Sequence, residues 1–329
     1  MKSNWLPVVL SFLIVIIITG KIIVGNQESE KAEKEFAAFV AHEPADTLWT
    51  TPWNQYQIPS DTDSGRLIKY GRQLIINTSY YLGTKGVVAQ ISNGLNCQNC
   101  HLGAGTVPFG NNFGKVYDTY PQFKARNNKV VTVYDRINNC LQRSLNGKAM
   151  DINCREMKAM YAYLEWVGHK VPGENKKGGT GIMELKYLNR PANPPQGRKV
   201  FMAKCQSCHG PNGQGVLNAD GTGFTYPPLW GKHSYNDGAG MYRLGDFAGF
   251  VKNNMPYGTN YENPKLTDEE AWDVAAFVNS QPRPHKDQSM DWKNISTKPI
   301  DYPFGPYADG FTESQHKYGP YQPIKNFKP

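Results

Sequence analysis

Two five-residue strings constrain this chain more than anything else in it: Cys97-Gln98-Asn99-Cys100-His101 and Cys205-Gln206-Ser207-Cys208-His209, their first cysteines 108 positions apart. Both read C-x-x-C-H. At that spacing two thiols on one helical turn reach the two vinyl groups of a haem while the next imidazole lies beneath the iron. Each string is therefore expected to attach a c-type haem covalently through Cys97 and Cys100 or Cys205 and Cys208, with His101 and His209 as proximal iron ligands. A single copy could be half of a zinc site or a redox dithiol; two intact copies in one exported chain argue against that.

Export is read from the N-terminus. Lys2 opens a stretch, Leu6 to Val24, that is apolar except for Ser11, Thr19, Gly20 and Lys21, with a core from Val8 to Ile18 of signal-peptide length. Ile18 and Ile23 precede the small residues Gly20 and Gly25 by two positions, a poor fit to a cleavage site. Residues 1–25 are thus expected to be a signal peptide or a retained anchor, and the protein periplasmic, soluble or tethered to the inner membrane. The net charge of +8 favours anionic small molecules or acidic proteins as partners, and without a Lys/Arg tract nucleic acid is excluded. Gly 32 and Pro 23 predict short helices in abundant loops.

Around the second motif, Gly197-Arg198-Lys199-Val200-Phe201 leads into Cys205, and Thr267-Asp268-Glu269-Glu270 is a capping box. Behind it Ala271, Val274, Ala275 and Val278 recur at helical spacing. With Asn254-Met255-Pro256-Tyr257-Gly258 between them, this segment resembles a class I cytochrome c, in which the Met of an M-P-x-G loop is the sixth iron ligand. The resemblance makes Met255 the expected ligand and implies a relatively high potential. Met202 lies on the motif's own helix, and Met241 and Met290 lack the loop.

The first half reads as a looser copy. Gly71-Arg72-Gln73-Leu74-Ile75 matches the approach to the second motif, but 26 positions separate Gly71 from Cys97 where 8 separate Gly197 from Cys205. Met157, Met160, Tyr161 and Leu164 suggest a closing helix, its methionines read as core filling. There is no M-P-x-G loop, so the distal ligand must be unusual.

About 40 residues beyond His101 lies Asp135-Arg136-Ile137-Asn138-Asn139-Cys140-Leu141-Gln142-Arg143-Ser144-Leu145-Asn146-Gly147. On a helix Arg136, Cys140, Arg143 and Ser144 share one face. Residues 124–148 hold Lys124, Arg126, Lys129, Arg136, Arg143 and Lys148 against Asp135 alone, a local balance of +5. Such a field favours a thiolate at Cys140, able to bind ferric iron and to react. Other readings remain open: a Cys140–Cys154 disulfide, arginines that neutralise haem propionates, and lysines on a solvated face.

The pattern R-x-x-x-C-x-x-R-S-x-N-G after a first C-x-x-C-H, followed by a class I cytochrome unit, resembles the dihaem thiosulfate dehydrogenases, some of which act as tetrathionate reductases. The likeness spans roughly residues 65–285. It implies Cys140 as a ligand of haem 1 at the active site, with Arg126, Arg136 and Ser144 lining a pocket for thiosulfate or tetrathionate. Some members carry a Lys just before the second-haem Met; here that residue is Asn254, with Lys252 nearby. The expected fold is mainly α, two fused class I cytochrome c-like haem domains with loop-rich connections. The expected domains are haem 1 over 26–167, a connector over 168–195, haem 2 over 196–281, and an extended Tyr/Pro-rich tail over 282–329 whose aromatics pack rather than bind.

The expected function is interconversion of thiosulfate and tetrathionate, with electrons exchanged through haem 2 with a small periplasmic cytochrome c. Two alternatives are a dihaem cytochrome c peroxidase, which needs an acid–base carboxylate at an open iron, and a non-enzymatic dihaem electron carrier. His42, His169, His233, His285 and His316 are read as ordinary histidines.

Overall fold

The computed structural model describes residue 58 and residues 62–169 and 179–327. The leader expected over residues 1–25, His42 and the His169 side chain lie outside what it describes. No helix among the described residues is long and apolar enough to cross a membrane.

Local sequence sets the main helices. Thr62 caps α1 (Asp63–Ile76), its hydroxyl accepting from the Gly65 N–H at 3.0 Å, and Ile68, Gly71, Leu74 and Ile75 form the buried stripe. A capping box between Thr132 and Asp135 starts α2 (Val133–Arg143), which turns Val133, Ile137 and Leu141 to the core. In α3 (Arg155–His169) Met157, Met160 and Leu164 are buried, in keeping with a closing helix whose methionines fill the core. Asn193 and the Pro pair that follows start α4 (Pro194–Lys204). After α5 (Leu244–Asn254), the box between Thr267 and Glu270 forms as the spacing predicts and opens α6 (Asp268–Ser280).

α1 packs on α3, and α4 on α6. Both crossings turn on the glycine of the shared Gly-Arg pair. A Cβ on Gly71 would lie 1.9 Å from the Ala159 carbonyl oxygen, and one on Gly197 would lie 1.8 Å from that of Asp273, so only glycine admits the approach. The Asp273 carboxylate is buried at the second crossing but satisfied, accepting from Arg190 at 2.9 and 3.0 Å and from the Asn193 N–H at 2.7 Å. One hydrophobic core runs from Ile58 to Val167, the other from Ala192 to Ile324.

Strands are few. The antiparallel pair β1 (Gln122–Lys124) and β2 (Lys129–Val131) forms a hairpin just before α2, and Val216–Leu217 pairs with Phe224–Tyr226. Amide side chains stitch the two halves together: Asn93 donates to the Ser234 carbonyl at 2.9 Å, and Asn236 donates to the Gln142 carbonyl and to Asn146, each at 2.9 Å.

The tail differs from the extended form expected of it. Glu313–Tyr318, capped by Thr312, and Tyr321–Asn326 are helical. Six-residue helices are too short for a period to be read in sequence, and these are held by burial of His316, Tyr321 and Ile324. His316 behaves as an ordinary core histidine, bonded to the Ile300 carbonyl at 2.8 Å and Asp309 at 2.9 Å.

Candidate functional site

The two C-x-x-C-H strings adopt matching local geometry. Asn96 and Asn99 close a capping box around the turn Cys97–Asn99, and the Cys97 N–H donates to Thr78 Oγ1 at 3.0 Å. His101 Nδ1 donates to the Asn111 carbonyl at 2.5 Å, and His209 Nδ1 to the Pro227 carbonyl at 2.8 Å. A carbonyl can only accept, so in both rings the proton sits on Nδ1 and Nε2 keeps its lone pair for a metal. Burial lowers both imidazoles, His101 to about 4, which also keeps Nε2 free. Burial pushes the Cys97 and Cys100 thiols up to about 12. The carbonyl that orients His101 reaches it through a tight loop with Gly103, Ala104, Gly105 and Asn111 at positive φ, and Phe113 packs on the imidazole at 4.4 Å.

Against the first motif lies a cavity of about 420 Å³ whose walls include Cys100, His101 and, on α2, Arg136, Cys140, Arg143 and Ser144. The shared helical face is thus realised, with Ser144 as its C-cap. Arg136 Nη1 donates to Cys140 Sγ at 3.0 Å. The end of β1 and the turn that follows it add Lys124 and Arg126 to the wall. Burial, then Arg136 and Arg126, holds Lys124 below its ordinary value; burial, then Arg143, does the same to Arg126. These cations crowd one another around a space that an anion would relieve.

The local excess of +5 is not all delivered there. Lys129 pairs on the surface with Asp135 at 2.9 Å, and Lys148 is exposed. Arg143 is committed, to Asp291 at 2.8 Å with both side chains 9% exposed and to the Gly238 carbonyl at 3.2 Å. Cys140 and Cys154 are not bonded to each other: both are free, and Cys154 Sγ accepts from the Met157 N–H at 3.4 Å at the start of α3.

Several wall residues escaped the sequence reading. Met241, Arg243 and Asp246 come from the second half, and Trp292 and Tyr302 from the tail, whose aromatics were expected only to pack. Asp246, 3.2 Å from Arg243, is raised to about 6 by burial. The usable signal was slight: an aromatic pair in a polar tail and a Gly238–Gly240 stretch next to a methionine.

At the second motif Met255 is the C-cap of α5 and packs half-buried on the core that Cys205 and Trp230 also touch. Asn254 is buried and donates to the carbonyls of Phe109 at 3.1 Å and Phe250 at 2.9 Å. Lys252 is held away, donating to the Leu266 carbonyl at 2.7 Å and pairing with Asp268 at 2.8 Å.

The residues present fit haem in both halves, since each pairs two thiols with an imidazole whose outer nitrogen is tied back, and the first faces a cavity with a thiol on its far wall. Comparison with known proteins agrees. Residues 88–172 match the SoxA/TsdA cytochrome c domain family, and residues 195–282 the cytochrome c family. The chain is 38% identical to a thiosulfate dehydrogenase of Psychrobacter arcticus over 72% of this chain and 69% of that one. It is also 38% identical to a thiosulfate dehydrogenase of Allochromatium vinosum, over 74% and 87%. Among solved structures, thiosulfate dehydrogenase (TsdBA) of Marichromatium purpuratum superposes with a TM-score of 0.65 at 28% identity, covering 73% of this chain and half of that longer one. With two cytochrome c domains and these relatives, the chain belongs to the dihaem thiosulfate dehydrogenases, oxidoreductases that carry covalently bound c-type haem.

Proposed function

We propose that this protein joins two thiosulfate dianions into tetrathionate, releasing two electrons, and catalyses the reverse reaction when electrons are supplied. The observation that carries this reading is the convergence of Lys124, Arg126 and Arg136 on the cavity that holds Cys140. Bringing two dianions together is opposed by their charge, and fixed cations in a partly desolvated space offset that repulsion.

In the mechanism Arg126, Arg136 and Ser144 hold the sulfonate oxygens, while Arg136 stabilises the Cys140 thiolate across their 3.0 Å contact. Cys140 Sγ forms a bond to the sulfane sulfur of one thiosulfate with loss of two electrons. The second thiosulfate then attacks that sulfane sulfur, releasing tetrathionate and restoring the thiolate. When bound, the two haems supply the one-electron acceptors for these electrons. His101 and Cys140 are the residues that would ligate the first iron, and His209 and Met255 the second. A thiolate from Cys140 would lower, and a thioether from Met255 would raise, the potential of the haem each residue holds. The receiver is proposed to be a small periplasmic cytochrome c, with the N-terminal segment as signal or tether.

Anaerobic visible spectroscopy of the haems tests this directly. Thiosulfate added to the oxidised protein should reduce haem, and tetrathionate added to the chemically reduced protein should reoxidise it. Silence in both would return the protein to a simple electron carrier, and peroxide consumption by the reduced protein would favour a peroxidase.

A further inference from the structure

The glycine crossings put one aromatic residue in the same place in each half. A Cβ on Gly71 would lie 2.9 Å from that of Tyr163 on α3, and one on Gly197 would lie 2.9 Å from that of Phe277 on α6. The two rings differ by a hydroxyl. Phe277 packs on Phe201 and Trp230, with ring centroids 5.5 and 5.6 Å away. Tyr163 is fully buried, and its hydroxyl donates to the Ala104 carbonyl at 2.9 Å. The arginines differ in the same sense: Arg72 donates to the Tyr163 oxygen, whereas Arg198 is exposed.

Ala104 belongs to the 101–113 loop that orients the His101 imidazole. It is buried at φ 57° and ψ 29°, the left-handed region that a residue with a Cβ rarely adopts. One helical turn further on stands Pro108, which has no N–H, so the Ala104 carbonyl must find its donor elsewhere. The far end of the loop is tied to the connector, where the Phe109 and Asn111 N–H groups donate to the Gly179 and Gly181 carbonyls at 2.7 and 2.9 Å. Tyr163 ties the near end, where the chain reverses. Between these ties the Gly105 N–H donates to the His101 carbonyl and the Phe113 N–H to the Gly105 carbonyl, each at 2.8 Å, and the Asn111 carbonyl accepts the Nδ1 proton.

We propose that Tyr163 is a positioning residue of the first haem: by holding Ala104, its hydroxyl fixes the loop whose Asn111 carbonyl orients His101. The proposal rests on His101 as a ligand of the first iron, as read above. A firm Nδ1–H bond makes the imidazole a stronger electron donor and favours ferric iron, so slackening the loop shifts that haem toward the ferrous state.

Tyr163→Phe gives the first crossing the residue that the second already accommodates, so the variant should fold with both haems attached. Redox titration of the holo-protein should show the haem 1 equilibrium moved about threefold toward the ferrous form, with haem 2 unmoved. In hydrogen exchange the Gly105 and Phe113 amides should exchange about fivefold faster than in wild type, whereas the Gly215 N–H, which donates to the His209 carbonyl at 2.9 Å, should keep its rate. An unchanged haem 1 potential, two potentials moved alike, or unchanged loop amides each overturn the proposal. A variant that fails to fold assigns the hydroxyl to the helix crossing and overturns it too. A wild-type chain with fewer than two haems, or a first haem whose spectrum is unaltered in His101→Ala, would sink the ligand reading itself, a failure distinct from that of a normal wild type with an indifferent Tyr163→Phe.

Discussion

The two haem-binding halves start from the same parts and diverge most on one side. Each has a C-x-x-C-H turn, an imidazole whose Nδ1 is bonded to a carbonyl, and a helix pair crossing at a glycine. They separate at the residues proposed for the far side of each iron. The second half presents Met255 from the end of its own α5, packed on its own core. The first half presents Cys140 across a cavity whose remaining wall is drawn from a hairpin, from the second half and from the tail. On the proposed function, the half that only passes electrons draws its distal residue from its own helix, whereas the half that holds a substrate takes its wall from several parts of the chain.

That contrast can be broken at its strongest point. Cys140→Ser should lower thiosulfate turnover by roughly three orders of magnitude or more while both haems stay attached, since the thioether bonds and proximal imidazoles are untouched; haem content against steady-state rate decides it. Removing a charge that the cavity uses should cost less. Arg126→Gln is expected to raise KM by about 10- to 100-fold, the range for losing a charge-assisted hydrogen bond, whereas Lys129→Gln, on the surface with Asp135, should leave KM within about twofold.

The shared part of the comparison is sharpened by Gly71→Ala and Gly197→Ala. Each forces a Cβ into a facing carbonyl and should destabilise its own half by about 1–3 kcal/mol, seen as a lowered unfolding temperature. The smallest effect is a pH dependence. Asp246 holds its proton up to about 6 in the folded cavity, above its ordinary value, because burial disfavours the carboxylate. As pH falls through 6 a negative charge leaves an anion-binding wall, so KM for thiosulfate should fall roughly two- to fivefold between pH 7 and 5.5. Asp246→Asn should flatten that slope, and a slope unchanged in the variant would assign it elsewhere. The same shift means that the stability Asp246 gains from its proton is present at low pH and lost as pH rises through 6.

Much of this was legible because the chemistry sits in short windows. The haem strings, the Thr267–Glu270 box and the face Arg136, Cys140, Arg143 and Ser144 each lie within one or two helical turns, where spacing dictates geometry. What was not legible is set by long-range closure. Arg143 looks like one of the pocket's free cations until the structure brings Asp291 to it from 148 positions away. Trp292 and Tyr302 sit in a segment with no period, and Met241 and Asp246 lie in a half that was assigned to electron transfer alone. Lys129 and Lys148 carried as much weight as Arg126 in a charge count, but a count does not say which side of a hairpin a residue faces.

The late position of Trp292 and Tyr302 has a consequence for how the protein is made. A chain interrupted just after Gln281 retains both C-x-x-C-H strings and, with them, Cys140 and Met255, the residues proposed to ligate the irons. It lacks the two aromatic wall residues and the partner of Arg143. On the proposed function, haem content would therefore report attachment but not a complete cavity, since a product cut there also loses Tyr321 and Ile324 of the second core along with part of the substrate wall.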